Sequence, residues 1–490
     1  MSTARKPISV LKVLVWASLP VALLVLLIVV APFAWGWQQE QRWQAYRQGA
    51  LMTRKVLELP PLPPAMDPAI NFAGQTPFAA VPVDREEKPT QPPTLPADWV
   101  PKFLPVGLQS PEGIQLADFR EPWHLEKVPD ASLPAAILHV CDEQLAGKWQ
   151  SVLDAEAKPQ ARFGVHSWPR PVSEKLPVAD VKTASWVHTI RAIALVRAHR
   201  GHEALGELRG TARIATALQS ESTIVARVLR AGVLWRHALV VKECLSAEAW
   251  SDAELAALDQ ELAPLHASTN YAETIDTERG GLNAIVECLV SQSASGRARQ
   301  IREWYPEKDF GPAMLAFLCR WHGALRDNQL AINRYMDAVR QQIDEKGNWQ
   351  PSDLPIDFDD MESGEEIRYA LAGIVTPRYT RPAQHLLTAE ACLRQARLAV
   401  ALERFRREHA AFPDHLSQLA PQYLHSVPVD PMDGEEMRYA KDSANRFRLW
   451  SVGQDLEDDG GKVEIKKDSD DKEEKDEPDD IVWLGTVAGK

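Results

Sequence analysis

The chain is poor in cysteine: five in 490 residues, at Cys141, Cys244, Cys288, Cys319 and Cys392, odd in number and far apart. That spacing argues against a disulfide framework and against the paired geometry of zinc and redox sites; four of the five fall in apolar helical patterns, where a thiol packs as a small hydrophobe. There is no glycine-rich phosphate loop, dinucleotide fingerprint or nucleophile elbow, which removes the readiest nucleotide-dependent and α/β-hydrolase readings. Clustered positive charge is missing too. The net charge is −13, and Asp455–Asp480 alone holds fourteen acidic and five basic residues, so the rest of the chain is close to neutral. Phosphate backbones require a concentrated basic surface, so this balance argues against a nucleic-acid partner.

What is present begins with a hydrophobic run. Val13–Gln39 contains no charged residue, and about 20 apolar residues suffice to cross a bilayer. Trp16, Trp35 and Trp37 stand near the ends of the run, where interfacial aromatics belong. Residues 13–37 therefore read as an uncleaved transmembrane anchor. The competing reading is a removed signal peptide, which the length of the run and the poor cleavage site at Ala31–Ala34 disfavour. Arg5, Lys6 and Lys12 place residues 1–12 in the cytoplasm and the remainder on the periplasmic side of a bacterial inner membrane; Arg42, Arg47, Arg54 and Lys55 pull the other way. Residues 38–132 form a proline-rich stretch, with fourteen prolines from Pro60 to Pro111. That density prevents regular helix. The stretch is either a spacer or an ordered arm held by Phe72, Phe78, Trp99 and Phe103.

Residues 133–380 carry helical periodicity. Ile224, Val228, Ala231, Trp235 and Ala238 form one apolar stripe, Leu255, Leu258, Leu262 and Leu265 a second, and Met314, Phe317, Trp321 and Ala324 a third. Ser251 and Glu254 make a capping box before the second, and Gly201 is placed to end a helix. Successive amphipathic helices with short links imply a bundle or a short solenoid. The texture of this region resembles uncharacterised membrane-anchored proteins of planctomycete-type bacteria. His199 and His202 lack a third ligand nearby and read as turn residues. The acidic stretch Asp357–Glu366 fails the EF-hand spacing and reads as a solvated loop.

The last hundred residues change character. A helix from about Leu386 to His409 ends before Phe412-Pro413, and Asp414 is placed to cap a short helix through Leu419. Tyr423-Leu424, Val427–Pro431 and the turn pair Asp433-Gly434 follow, then strand patterns at Glu436–Tyr439 and Arg446–Val452 around an Asp442–Asn445 turn. This order resembles the C-terminal domain of the major pseudopilin, protein G of the type II secretion system. The matching residues are Ala401–Phe405, Phe412-Pro413, Leu416, Leu419, Tyr423-Leu424, Pro428, Asp430-Pro431, Tyr439, Leu449–Asp455 and Asp479–Ile481. The resemblance implies a calcium ion in the loop after the hairpin, held by Asp455, Asp479 and Asp480 with Ser451 as a further candidate. Met432 stands where the family has tryptophan, and a Lys/Asp/Glu-rich insertion separates Gly461 from Asp479. No prepilin cleavage signal occurs in Met1–Lys12. The same acidic run can equally be a solvated tail.

The fold class expected from these readings is mainly α: a transmembrane helix, a helical bundle or short solenoid, and a small α+β module in residues 381–490. The leading functional reading is a membrane-anchored, non-enzymatic interaction or scaffold protein with an unidentified protein partner. A hydrolase site hidden among the helices and a component of a secretion or pilus system are the alternatives.

Overall fold

The computed structural model describes residues 30–53, 55–58, 66–79, 81–82, 93, 95, 116–121, 123–163, 174–304, 322–351, 353–358, 361, 365–376, 379–462 and 480–486. In chain order the helices among them are α1 (Ala31–Met52), α2 (Leu133–His139), α3 (Ala146–Glu156), α4 (Val178–Arg197), α5 (Gly201–Gln219), α6 (Ile224–Ser246), α7 (Asp252–Leu262), α8 (Tyr271–Val290), α9 (Ala294–Trp304), α10 (His322–Arg340), α11 (Glu365–Arg368), α12 (Ala370–Val375) and α13 (Thr380–His409). The strands are β1 (Val81–Pro82), β2 (Glu174–Lys175), β3 (Arg438–Ser443), β4 (Arg446–Ser451) and β5 (Ile481–Thr486). The protein is therefore mainly helical, with one small three-stranded antiparallel sheet in the order β3-β4-β5.

Two compact units divide the chain. The first contains residues 1–60, 276–338 and 353–378, and the second 61–275, 339–352 and 379–490. In the first unit α1 packs on α10: Trp43 and Ala50 are buried with Leu57 and Leu330. Residues 38–52, assigned from the sequence to the proline-rich stretch, thus belong to a packed helix. Most of the expected membrane span, residues 13–29, lies outside the described residues. Among the described helices none is long and apolar enough to cross a membrane.

In the second unit α4, α5 and α6 pack on one another, and α6 and α7 pack on α13. The proline-rich stretch supplies an arm to this unit. Phe72 and Phe78 are fully buried and stacked at 4.2 Å, and the Asn71 side chain donates to the Arg162 carbonyl and accepts from the Arg162 amide. Trp99 and Phe103 lie outside the described residues.

The apolar stripes are only part of what is buried. Leu255, Leu258, Leu262 and Leu265 face the core as their spacing predicts, and the Ser251–Glu254 capping box is formed. Helix α6, however, is buried on most sides, so its polar positions go inside as well. The Arg230 Nε–H donates to the Ala215 carbonyl at 2.9 Å. The Arg236 Nη2–H donates to Ser185 Oγ at 2.6 Å, while its guanidinium lies 4.8 Å from the Trp186 ring centre. Buried guanidinium groups persist only when such partners replace water. The third stripe, apart from Ala324, lies outside the described residues. Gly201 opens α5 instead of ending a helix, and His199 takes the left-handed conformation there. Glycine is needed at 201 because a Cβ would sit 2.5 Å from Ala249 Cβ.

One buried ion cluster joins α3, α4 and α5. His188 is wholly buried, with Nδ1 2.7 Å from Glu207 Oε2 and Nε2 2.8 Å from Glu156 Oε1. Two carboxylates facing two ring nitrogens require both nitrogens to donate, so the ring is an imidazolium. Burial alone would depress its pKa, but the two carboxylates overcome this and hold it at about 10. A folded pKa raised above the unfolded value of ~6.5 means that the cluster's stabilisation is complete below pH ~6.5 and is lost as pH rises through 10. Replacing His188 by Gln should cost about 3–5 kcal/mol at pH 6, because two buried carboxylates lose their common partner. Denaturant melts at pH 6 and pH 10 should also show a smaller alkaline loss for the variant than for the natural chain.

Candidate functional site

The sequence points to the loop that follows the C-terminal hairpin, and the sheet brings its ends together. Strand β4 pairs with both β3 and β5, and the β4–β5 register sets Ser451 opposite Ile481. Asp480 therefore stands beside the end of β4. Strand β5 was not legible as a strand, because a long acidic insertion separates it from the hairpin. Helix α13 holds it in place: the Gln395 Nε2–H donates to the Ile481 carbonyl at 2.6 Å.

The centre of the site is Asp430, which is completely buried. Oδ1 accepts from the Met432 amide at 2.9 Å and from the Ser451 hydroxyl at 2.7 Å; Oδ2 accepts from the Val452 amide at 3.0 Å and from Arg438 Nη1 at 3.1 Å. Burial pushes its pKa up, and the donors oppose that rise. Asp430 enters the sequence reading only through the Asp-Pro resemblance. Its position before Pro431 and Asp433-Gly434 was the available signal, since short acidic side chains there turn back onto the backbone.

The loop is then strapped to the hairpin. Trp450 Nε1–H donates to Asp458 Oδ1 at 2.8 Å, and Arg448 Nη1–H to the Gly460 carbonyl at 3.0 Å. Gly461 has φ +63°, and a Cβ there would lie 2.8 Å from the Trp450 ring, so both conformation and space require glycine. Its amide donates to Asp480 Oδ2 at 2.8 Å.

The four predicted ligands fare differently. Ser451 is buried and its hydroxyl proton is given to Asp430, which leaves the oxygen lone pairs available. Asp455 is exposed and Oδ1 accepts from the Glu457 amide at 3.0 Å. Asp479 lies outside the described residues. Asp480 is 2 % exposed, and its Oδ1 is buried without a hydrogen-bond partner among the described residues. Burial, reinforced by the charges of Asp458 and Asp459, pushes its carboxyl up to about 6 against the backbone hydrogen bonds from Gly461 and Asp459. Ser451 and Asp480 are thus brought to one end of the sheet, with Asp455 in the turn beyond. Among the described residues no group of three or more His, Cys, Asp or Glu is arranged to hold a metal ion.

Other candidates resolve into structure. His202 Nδ1 lies 2.5 Å from Glu254 Oε1, the carboxylate of the α7 capping box. Asp414 does not cap the 3-10 turn Leu416–Leu419; it accepts from Lys441, and Gln418 Oε1 accepts from the Asp414 and His415 amides instead. A small cleft between α6, α13 and the sheet is lined by Lys242, Ser246, Glu403 and Phe447. Its one carboxylate, Glu403, is bound by Arg406 and Arg407.

No family model matches the chain, and no curated protein and no solved structure matches it either.

Because donors converge on both oxygens of Asp430, an amide cannot satisfy them all. Asp430→Asn should therefore destabilise the second unit by at least about 2 kcal/mol, while Asp433→Asn, at the partly exposed Arg438 pair, should cost under about 1 kcal/mol. Paired denaturant melts of the two variants check this.

Proposed function

We propose that this is a membrane-anchored, non-enzymatic interaction protein whose pseudopilin-like C-terminal module is completed by a calcium ion. The observation that carries the cation is the buried Asp480 Oδ1 without a hydrogen-bond partner among the described residues, in a carboxyl already pushed up by burial and neighbouring acids. A buried acceptor without a donor costs free energy. A hard divalent cation removes that cost and offsets the mutual repulsion of the acidic loop.

Calcium favours six to eight oxygen ligands at flexible geometry. Asp480, Asp455, Asp479 and the Ser451 hydroxyl oxygen are the donors that this chain offers, with loop carbonyls and water to complete the shell. The loop between Lys462 and Asp480 is long, but closure cost rises only slowly with length, so the insertion does not prevent its ends from meeting. The anchor reading rests on the uncharged run Val13–Gln39, and the large helical layers supply surface for a protein partner.

The test is thermal unfolding of the full chain with calcium and with chelator. Calcium at about 100 times its Kd should add about 2.7 kcal/mol and raise Tm by several degrees, and Asp480→Asn should abolish the increase. Identical melting in calcium and chelator would remove the cation from the account.

A further inference from the structure

Helix α1 changes character along its exposed side. In its first two turns that side shows Val30, Phe33, Ala34 and Trp37, with Phe33 76 % and Trp37 69 % exposed. From Gln38 onward it shows Gln38, Gln41, Arg42, Arg47 and Gln48, before Leu51 and Met52 end the helix with exposed apolar side chains of their own. The opposite side is packed from the third turn on, with Gln39, Trp43 and Ala50 buried. Gly36 and Gly323 let α1 and α10 approach so closely that a Cβ on Gly323 would lie 2.7 Å from Gly36 Cα. Glu40 Oε2 accepts from Arg326 Nε at 2.7 Å, and Asp337 Oδ2 accepts from Tyr46 at 2.9 Å and from Lys55 at 2.7 Å. The helix is therefore a strut of the first unit, bonded at its middle and toward its C-terminal end.

We propose that the apolar first turns of α1 are seated in the lipid-water interface of a bilayer, so that the first unit is carried on the membrane surface itself. The proposal rests on the anchor reading above. Three features select lipid as the occupant of this face. The sequence directly before it, Val13–Val29, is uncharged and apolar. The change from apolar to polar occurs at Trp37, and tryptophan favours that boundary. Arg42 and Arg47 follow within about 15 Å along the axis, a depth at which they meet anionic headgroups.

The test uses the full chain in vesicles of phosphatidylcholine and phosphatidylglycerol, with Phe33→Cys, Trp37→Cys and Gln48→Cys each carrying a polarity-sensitive NBD label. All three positions are exposed, so folding is not at risk, and the unsubstituted chain supplies the background from native cysteines. The labels at 33 and 37 should emit at shorter wavelength and be quenched by spin-labelled lipid, while that at 48 reports water. Aqueous emission from all three in vesicle-bound protein would overturn the seat but leave the anchor standing. Blue-shifted emission without lipid quenching would also overturn it and identify a protein groove as the occupant. Release of the full chain by carbonate would remove the anchor, and the seat with it.

Discussion

Helix α13 is buried on two opposed sides, and most of the second unit depends on that constraint. It packs against α6 and α7, and its stripe Leu386, Ala389, Leu393, Ala396 and Val400 is buried; toward the sheet it supplies Gln395, which fixes β5. Each wholly buried leucine or valine contributes about 1.5–3 kcal/mol of burial free energy. Glu390 adds a polar lock, accepting from the Ala267 amide at 2.7 Å and from Arg394 at 3.0 Å. Its carboxyl is wholly buried, which would raise its pKa; contacts with His266 and Arg394 reverse this and hold it at about 2. The C-terminal sheet is thus an outgrowth of the helical layers.

This arrangement gives the acidic loop its physical setting. A loop of like charges repels itself, and only a rigid frame keeps its ends in register. Asp430 supplies the frame on one side by tying the Met432 turn to the end of β4, and the Gly461-Asp480 bond closes the other. Such a frame leaves one carboxylate oxygen of Asp480 without a hydrogen-bond partner among the described residues, the kind of exception that native proteins reserve for a ligand, a proton or water. The first unit shows the same economy in another form. Its α1 meets Arg326 and Asp337 through polar side chains, and its exposed first turns are apolar where the uncharged N-terminal run leads into them.

Periodicity made the helices legible. The α7 stripe, the Ser251 capping box and the long helix ending near His409 all follow from residue spacing and cap chemistry. Long-range charge pairing was not legible. Arg230, Arg236 and His188 carry no signal that one sequence can show, and they are buried because partners on other helices meet them. Strand β5 was missed because pairing across a long insertion leaves no local signature. Gly201 was misread because close packing, invisible in one dimension, demands glycine as strongly as a turn does. At the candidate site Ser451 and Asp480 were named as ligands from resemblance, whereas the organising residue, Asp430, was matched without being given a role.

The claim on which the account turns is that helical layers and C-terminal sheet form one cooperative unit through α13. Native-state hydrogen exchange of the full chain measures this at individual amides. The amides of Val233 and Val240 in α6 and of Phe447 and Leu449 in β4 should open with the same free energy and the same denaturant dependence. Opening of the β4 amides at a much lower free energy, with α6 still protected, would contradict it.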